Sequence, residues 1–161
     1  MRELPAHQLD PKVKIVWRIN DAIWLTLVFL CVFVPFAVVA AGGEQVAVVG
    51  AVITLVVYAL ALVLWLVVLP PIRFSRWRYE LSDDYLDIAR GIVWRKRFVI
   101  PFIRVQNTDT RQGPILRMFG LASVTVATAA GEHEIPGLPF DVAEQLRDRA
   151  AELARLARED V

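Results

Sequence analysis

Residues 22–41 read AIWLTLVFLCVFVPFAVVAA, and residues 46–69 read VAVVGAVITLVVYALALVLWLVVL. Neither run contains Asp, Glu, Lys, Arg or His. Each is long enough to cross the hydrocarbon core of a bilayer as a helix, which takes about 20 residues. The link between them, Gly42-Gly43-Glu44-Gln45, leaves room only for a tight hairpin. Both chain ends therefore belong on one side of the membrane. The expected organisation is a tail over 1–21, a transmembrane hairpin over 22–71 with spans 22–41 and 46–69, and one domain over 72–161.

The first run starts too far in, and is too long, to be the apolar segment of a cleaved signal peptide. A second apolar run also follows it almost at once. Arg2, Lys12, Lys14 and Arg18 precede the first run, Arg73, Arg76 and Arg78 follow the second, and the link has no Lys or Arg. The positive-inside rule then puts both termini and the domain in the cytoplasm of a bacterial cell membrane. Trp17, Trp24 and Trp65 fit an aromatic belt at that interface. The single cysteine, Cys31, lies within the first span, so no internal disulfide can form.

Ion and proton pathways place ionisable groups in the membrane, and these spans have none. Their polar side chains, Thr26, Thr54 and Tyr58, read as structural, with each Thr able to bond its own helix backbone. Pro35 is expected to kink the first span. Ala47, Gly50, Ala51 and Thr54 form a small-residue face, suited to packing between the two spans or between copies.

Beyond the hairpin the period changes to two. In 76–81, Trp77, Tyr79 and Leu81 share one face and Arg76, Arg78 and Glu80 the other, as in a half-buried strand. Ser82-Asp83-Asp84 is a turn signal. A second strand follows over 85–90 with Leu86 and Ile88 inward. A third runs through Trp94 to Ile100 and a fourth covers 103–111. A helical turn is expected over 115–119, a β-rich run over 122–129, and a short strand over 133–135. Asp141 with Glu144 then resembles a capping box, and Val142, Leu146, Ala150, Leu153 and Ala157 recur at helical spacing. A C-terminal amphipathic helix of about 18 residues should therefore close a small curved antiparallel sheet or open barrel.

Three stretches carry a resemblance: Ile100-Pro101-Phe102-Ile103-Arg104-Val105-Gln106-Asn107, Arg111-Gln112-Gly113-Pro114 and Phe119-Gly120-Leu121-Ala122. His133-Glu134-Ile135-Pro136-Gly137-Leu138 fits alongside them. Together they resemble the bacterial PH-like domain family, and more narrowly the YdbS-like membrane proteins with two N-terminal spans. The resemblance covers essentially the whole chain. It implies two packed antiparallel sheets with a C-terminal helix, and a lipid- or protein-binding module rather than an activity. In eukaryotic phosphoinositide-binding PH domains the first hairpin loop is basic. Here it is the acidic Ser82-Asp83-Asp84, which argues against inositol lipid recognition of that kind.

No nucleophile motif, Walker loop or dinucleotide fingerprint is present. His7 lies in the tail. On a strand, His133 points away from its neighbours Glu132 and Glu134, which is poor geometry for a metal. The expectation is a non-enzymatic protein with no catalytic residues, no metal and no cofactor.

Charge is distributed unevenly. From Arg73 to Arg117 there are ten Lys or Arg against five Asp or Glu, and from Met118 to Val161 four Arg against eight acids. The basic half is the one joined to the spans. Arg73, Arg76, Arg78, Arg95, Lys96 and Arg97 are candidates for contact with anionic headgroups, each attracted by about 1 kcal/mol near such a surface. The alternative is a solubilising loop with ordinary positive-inside bias. Inward-facing aromatics and modest net charge argue against nucleic acid. Arg104, Gln106, Asn107, Arg111 and Gln112 form a second group. Asn107 is expected on the same face as Ile103 and Val105, either bracing a loop or presenting a peptide-binding edge. The functional expectation is a membrane-proximal protein-binding or scaffolding module. Its partner would be a membrane protein or a second copy. Anionic-lipid sensing is the leading alternative, and a regulatory subunit of a larger membrane complex is the third.

Overall fold

The computed structural model describes residues 5–159, so Arg2 lies outside the described residues. The chain divides into two compact units, one formed by the first 16 residues with Ile72–Val161 and the other by Trp17–Pro71.

The second unit is the hairpin. Helix α1 spans Val13–Ala41 and continues through Pro35. Helix α2 spans Gln45–Leu62 and passes into a π-helical stretch, Val63–Val68, and then into α3, Leu69–Arg76. The helical segments Val13–Ala41 and Gln45–Arg76 are both long and apolar enough to cross a membrane. A Cβ on Gly50 would stand 2.6 Å from the Phe36 ring, so the small-residue face receives the other span's aromatic. Thr54 bonds its own helix at the Gly50 carbonyl, 2.8 Å. Thr26 does not bond its own backbone: its hydroxyl lies 2.9 Å from the Tyr58 hydroxyl, whose ring stacks on Phe29. Bonding between spans satisfies both hydroxyls where no water is available.

The π-helical stretch has a cause in the sequence. Residues 70 and 71 are both proline, so the carbonyls of Leu66 and Val67 lose their helical N–H donors. The chain winds wider there, and the Leu69 N–H bonds Leu64, five residues back.

The other unit holds two three-stranded antiparallel sheets. Strands β1 (Arg78–Leu81), β2 (Tyr85–Arg90) and β3 (Lys96–Pro101) form one in that order. Strands β4 (Val105–Arg111), β5 (Leu121–Thr128) and β6 (Gly131–Pro139) form the other. A 3-10 turn over Phe102–Arg104 separates β3 from β4. The sheets are not joined into a closed barrel. Short helix α4 (Pro114–Met118) links β4 to β5, and α5 (Phe140–Glu159) packs on β4, β5 and β6. The core between these layers includes Leu86, Ile88, Phe102, Val124, Val126, Ile135 and Leu138.

Several expectations shift. Arg76 ends a helix and Trp77 lies between elements, so the first strand starts at Arg78. The third strand does not pass through Trp94. Gly91–Arg95 forms the β2–β3 loop, because Gly91 adopts φ +123° and a Cβ there would collide with the Trp94 carbonyl. The last strand is nine residues long rather than three. Helix α5 begins at Phe140, which puts Asp141 in its first turn, where a carboxylate favours the helix dipole. Its buried stripe is Ala143, Leu146, Ala150, Leu153 and Ala154, with Val142 and Ala157 half-buried at its margins.

The segment expected as a tail is part of the domain. His7 and Tyr79 exchange both backbone hydrogen bonds at 3.0 Å, which adds a bridge to the edge of β1. The Asp10 N–H donates to the Gly137 carbonyl of β6 at 3.0 Å, while Leu9 and Val13 are buried. This strap therefore pairs with one sheet and packs on the other.

Candidate functional site

At the end of the first sheet a cavity of about 380 Å³ is lined by Ser75, Arg76, Arg78, Ala89, Arg90, Gly91, Arg95, Lys96 and Arg97. Six of these nine residues are cationic and none is acidic. The strand register explains the convergence. Arg78 lies opposite Ala89, Ala89 opposite Arg97, and Arg90 opposite Lys96. The tight turn at Gly91 brings Arg90 and Arg95 to the same end. Arg76 reaches in from α3, its Nη1 3.4 Å from the Ile92 carbonyl.

Arg97 differs from the other five. Its Nε is 3.0 Å from both carboxylate oxygens of Asp87, and its Nη2 is 2.5 Å from Oδ2. Asp87 is only 2% exposed. Hydrogen bonding to Asp87 raises the guanidinium pKa above its already high ordinary value, against a smaller opposing effect of desolvation. Arg97 is thus engaged with its neighbour strand. Arg76, Arg78, Arg90, Arg95 and Lys96 form no ion pair among the described residues. Arg90 rests over the Phe98 ring, 5.2 Å from its centroid. Such a cluster, next to backbone and without carboxylates, suits an anion presenting several oxygens.

Of the six expected headgroup candidates, Arg76, Arg78, Arg95, Lys96 and Arg97 line this cavity, while Arg73 is exposed on α3 outside the lining. Arg90 was missed. The glycine immediately after it, at the head of a hairpin ending in Arg95-Lys96, was the signal that could have found it.

The second group does not converge. Gln106 and Asn107 line a groove of about 350 Å³ between β4 and α5, with Ala151, Ala154, Arg155 and Arg158. Asn107 is exposed, contrary to the inward face expected, because the register slips between Val105 and Asn107. Its amide donates to Asp109 at 2.9 Å rather than bracing a loop. Gln112 does brace one, donating to the Leu121 carbonyl at 2.9 Å. Arg111 pairs with Glu132 at 3.7 Å, and Arg104 lines a separate pocket beside His133.

The family model described as the bacterial PH domain matches residues 20–154 of the chain. The chain belongs to the bacterial PH domain family. Over all 161 residues this PH domain protein is 35% identical to the UPF0699 transmembrane protein YdbS of Bacillus subtilis (strain 168), covering 100% of both chains. It is 28% identical over 91 residues to the UPF0699 transmembrane protein YdbT of the same organism, a match that takes in 54% of this chain and 18% of that one. No solved structure matches it. With two apolar helices of spanning length and a full-length transmembrane relative, it is a membrane protein.

Within the PH domain His133, on β6, is half-buried. Its ring lies 4.8 Å from that of Phe98, and its buried Nδ1 has no hydrogen-bond partner. Desolvation, and secondarily the charge of Arg90, lowers its pKa. No group of three or more His, Cys, Asp or Glu among the described residues is placed to hold a metal.

Proposed function

We propose that this PH domain is a non-enzymatic, membrane-proximal module that binds the headgroup of an anionic phospholipid in the leaflet beside it. The observation that carries this is the cavity of about 380 Å³ at the β2–β3 end, lined by five cations that have no acidic partner among the described residues. Lys12, Lys14 and Arg18 before the first apolar run, with Arg73, Arg76 and Arg78 after the second, support a cytoplasmic domain in the cell membrane. The cytoplasmic leaflet carries the anionic lipid. The residues that line the cavity offer cations but no carboxylate or imidazole to act as a general base, which supports binding rather than catalysis.

The full-length protein in neutral detergent is titrated by calorimetry with short-chain phosphatidylglycerol and with short-chain phosphatidylcholine. Binding of the first alone, weakened by salt, is expected. Replacing Arg78, Arg90 and Lys96 together by Gln should weaken it roughly 100-fold, at about 1 kcal/mol per charge. Equal binding of both lipids, or an unaffected triple variant, would overturn the reading.

A protein partner is the second reading. β4 is the edge of its sheet, and the groove beside it could take an added strand. Cross-linking from a photoreactive residue at position 106 in intact membranes would expose such a partner.

A further inference from the structure

Val93 and Trp94 occupy the tip of the β2–β3 hairpin at 82% and 81% exposure. Isolated apolar residues on a surface need no explanation, but these two are adjacent and projected by a turn that Gly91 alone allows. Arg95 and Lys96 follow them directly. The loop is also bonded to the start of the domain. Arg76, which reaches the Ile92 carbonyl, ends the helix that leaves the second apolar run. In sequence Arg76 lies only seven positions after Leu69, the last residue of that run.

We infer that the Val93–Trp94 tip is seated in the interfacial layer of the bilayer that carries the chain. Trp is suited to that depth, with an apolar ring toward the acyl chains and an N–H toward water. Arg95 and Lys96 extend their apolar stems beside it and keep their charges at the phosphates. The tip gives the domain a third attachment besides its two chain connections, and it sets which face of the domain meets the lipid. It goes beyond headgroup binding, since apolar seating needs no anionic lipid.

The test uses the full-length protein with Cys31→Ser and a spin label at Val93→Cys, one copy per nanodisc of pure phosphatidylcholine. Met118, an apolar residue 79% exposed on α4, provides the control as Met118→Cys. Both label sites are on the surface, so neither substitution removes core packing. The expected result is high collision with oxygen at position 93, and collision with a water-soluble nickel chelate several-fold lower than at 118. Adding Trp94→Glu should restore chelate access. Chelate access at 93 equal to that at 118 would overturn the inference. So would low access to both probes, which would mean the tip is covered by protein. Because the discs are neutral, failure of headgroup binding leaves this result unchanged.

Discussion

The Nε of Arg18 donates to the carbonyl of Leu66 at 2.8 Å, and that carbonyl needs a donor because residue 70 is proline. Two features 52 residues apart in sequence thus answer one another. A carbonyl freed in a region short of water is costly. A long cationic side chain near a helix end can reach back to it. Arg18→Gln should therefore destabilise the hairpin by about 1 kcal/mol. In a Pro70→Ala background the residue-70 N–H can serve Leu66, and the same change should cost much less. Additive effects in this double-mutant cycle, measured by denaturant unfolding in micelles, would refute the link.

The Asp87–Arg97 pair predicts an asymmetry among neighbouring cations. Arg97→Gln leaves a buried carboxylate without its guanidinium, whereas Arg95→Gln changes an exposed loop residue. Thermal unfolding followed through hydrogen exchange in β2 should show a drop of several degrees for the first and little for the second. Arg97→Met with Asp87→Leu should recover most of the loss. A similar drop for Arg95 would count against the pairing.

At Gly137 the strap meets the second sheet. The residue has φ +65°, and a Cβ there would run into the Val13 side chain. Gly137→Ala should cost at least about 2 kcal/mol, from left-handed strain and overpacking together. Adding Val13→Ala should relieve the overpacking but not the strain. Urea titration of the full-length protein measures both, and a neutral Gly137→Ala would show that the strap is loosely held.

His133 predicts a pH dependence. Its pKa is lowered in the folded protein, so below the ordinary histidine value of about 6.5 the unfolded chain binds the proton more readily. Stability contributed by the neutral ring is present above that value and falls as pH drops toward the folded pKa. Arg90 opposes protonation further, while Glu132 and Glu134 point from the other side of the strand. The urea midpoint should fall between pH 7 and pH 5, and His133→Gln should flatten that slope. An unchanged slope in the variant would assign the effect elsewhere.

Membrane insertion, the mainly-β character of the domain and the terminal helix were legible in the sequence because each is a periodic or local signal. Twenty uncharged residues, alternation in 76–81 and 85–90, and a helical stripe after Asp141 need no distant partner to be read. The basic character of the candidate site was legible for the same reason. Its membership was not. Arg90 looked like a strand end until the Gly91 turn and the strand register set it beside Arg95 and Arg78. Trp94 looked like a core aromatic on a continuing strand, yet the turn leaves it at the exposed tip. Asn107 changed face because a one-residue slip in pairing reverses the side chains beyond it.

The sequence by itself determined that the chain has two uncharged runs long enough to cross a membrane, followed by a mainly-β domain, since bilayer thickness and backbone hydrogen bonding leave such a run few alternatives. Only the tertiary structure decided which cations share a cavity, that residues 5–16 strap the two sheets together, and that Arg18 serves a carbonyl which Pro70 leaves open. Those relations join residues from about 20 to more than 120 positions apart. Register, turn geometry and packing create them, and no local pattern in the chain encodes them.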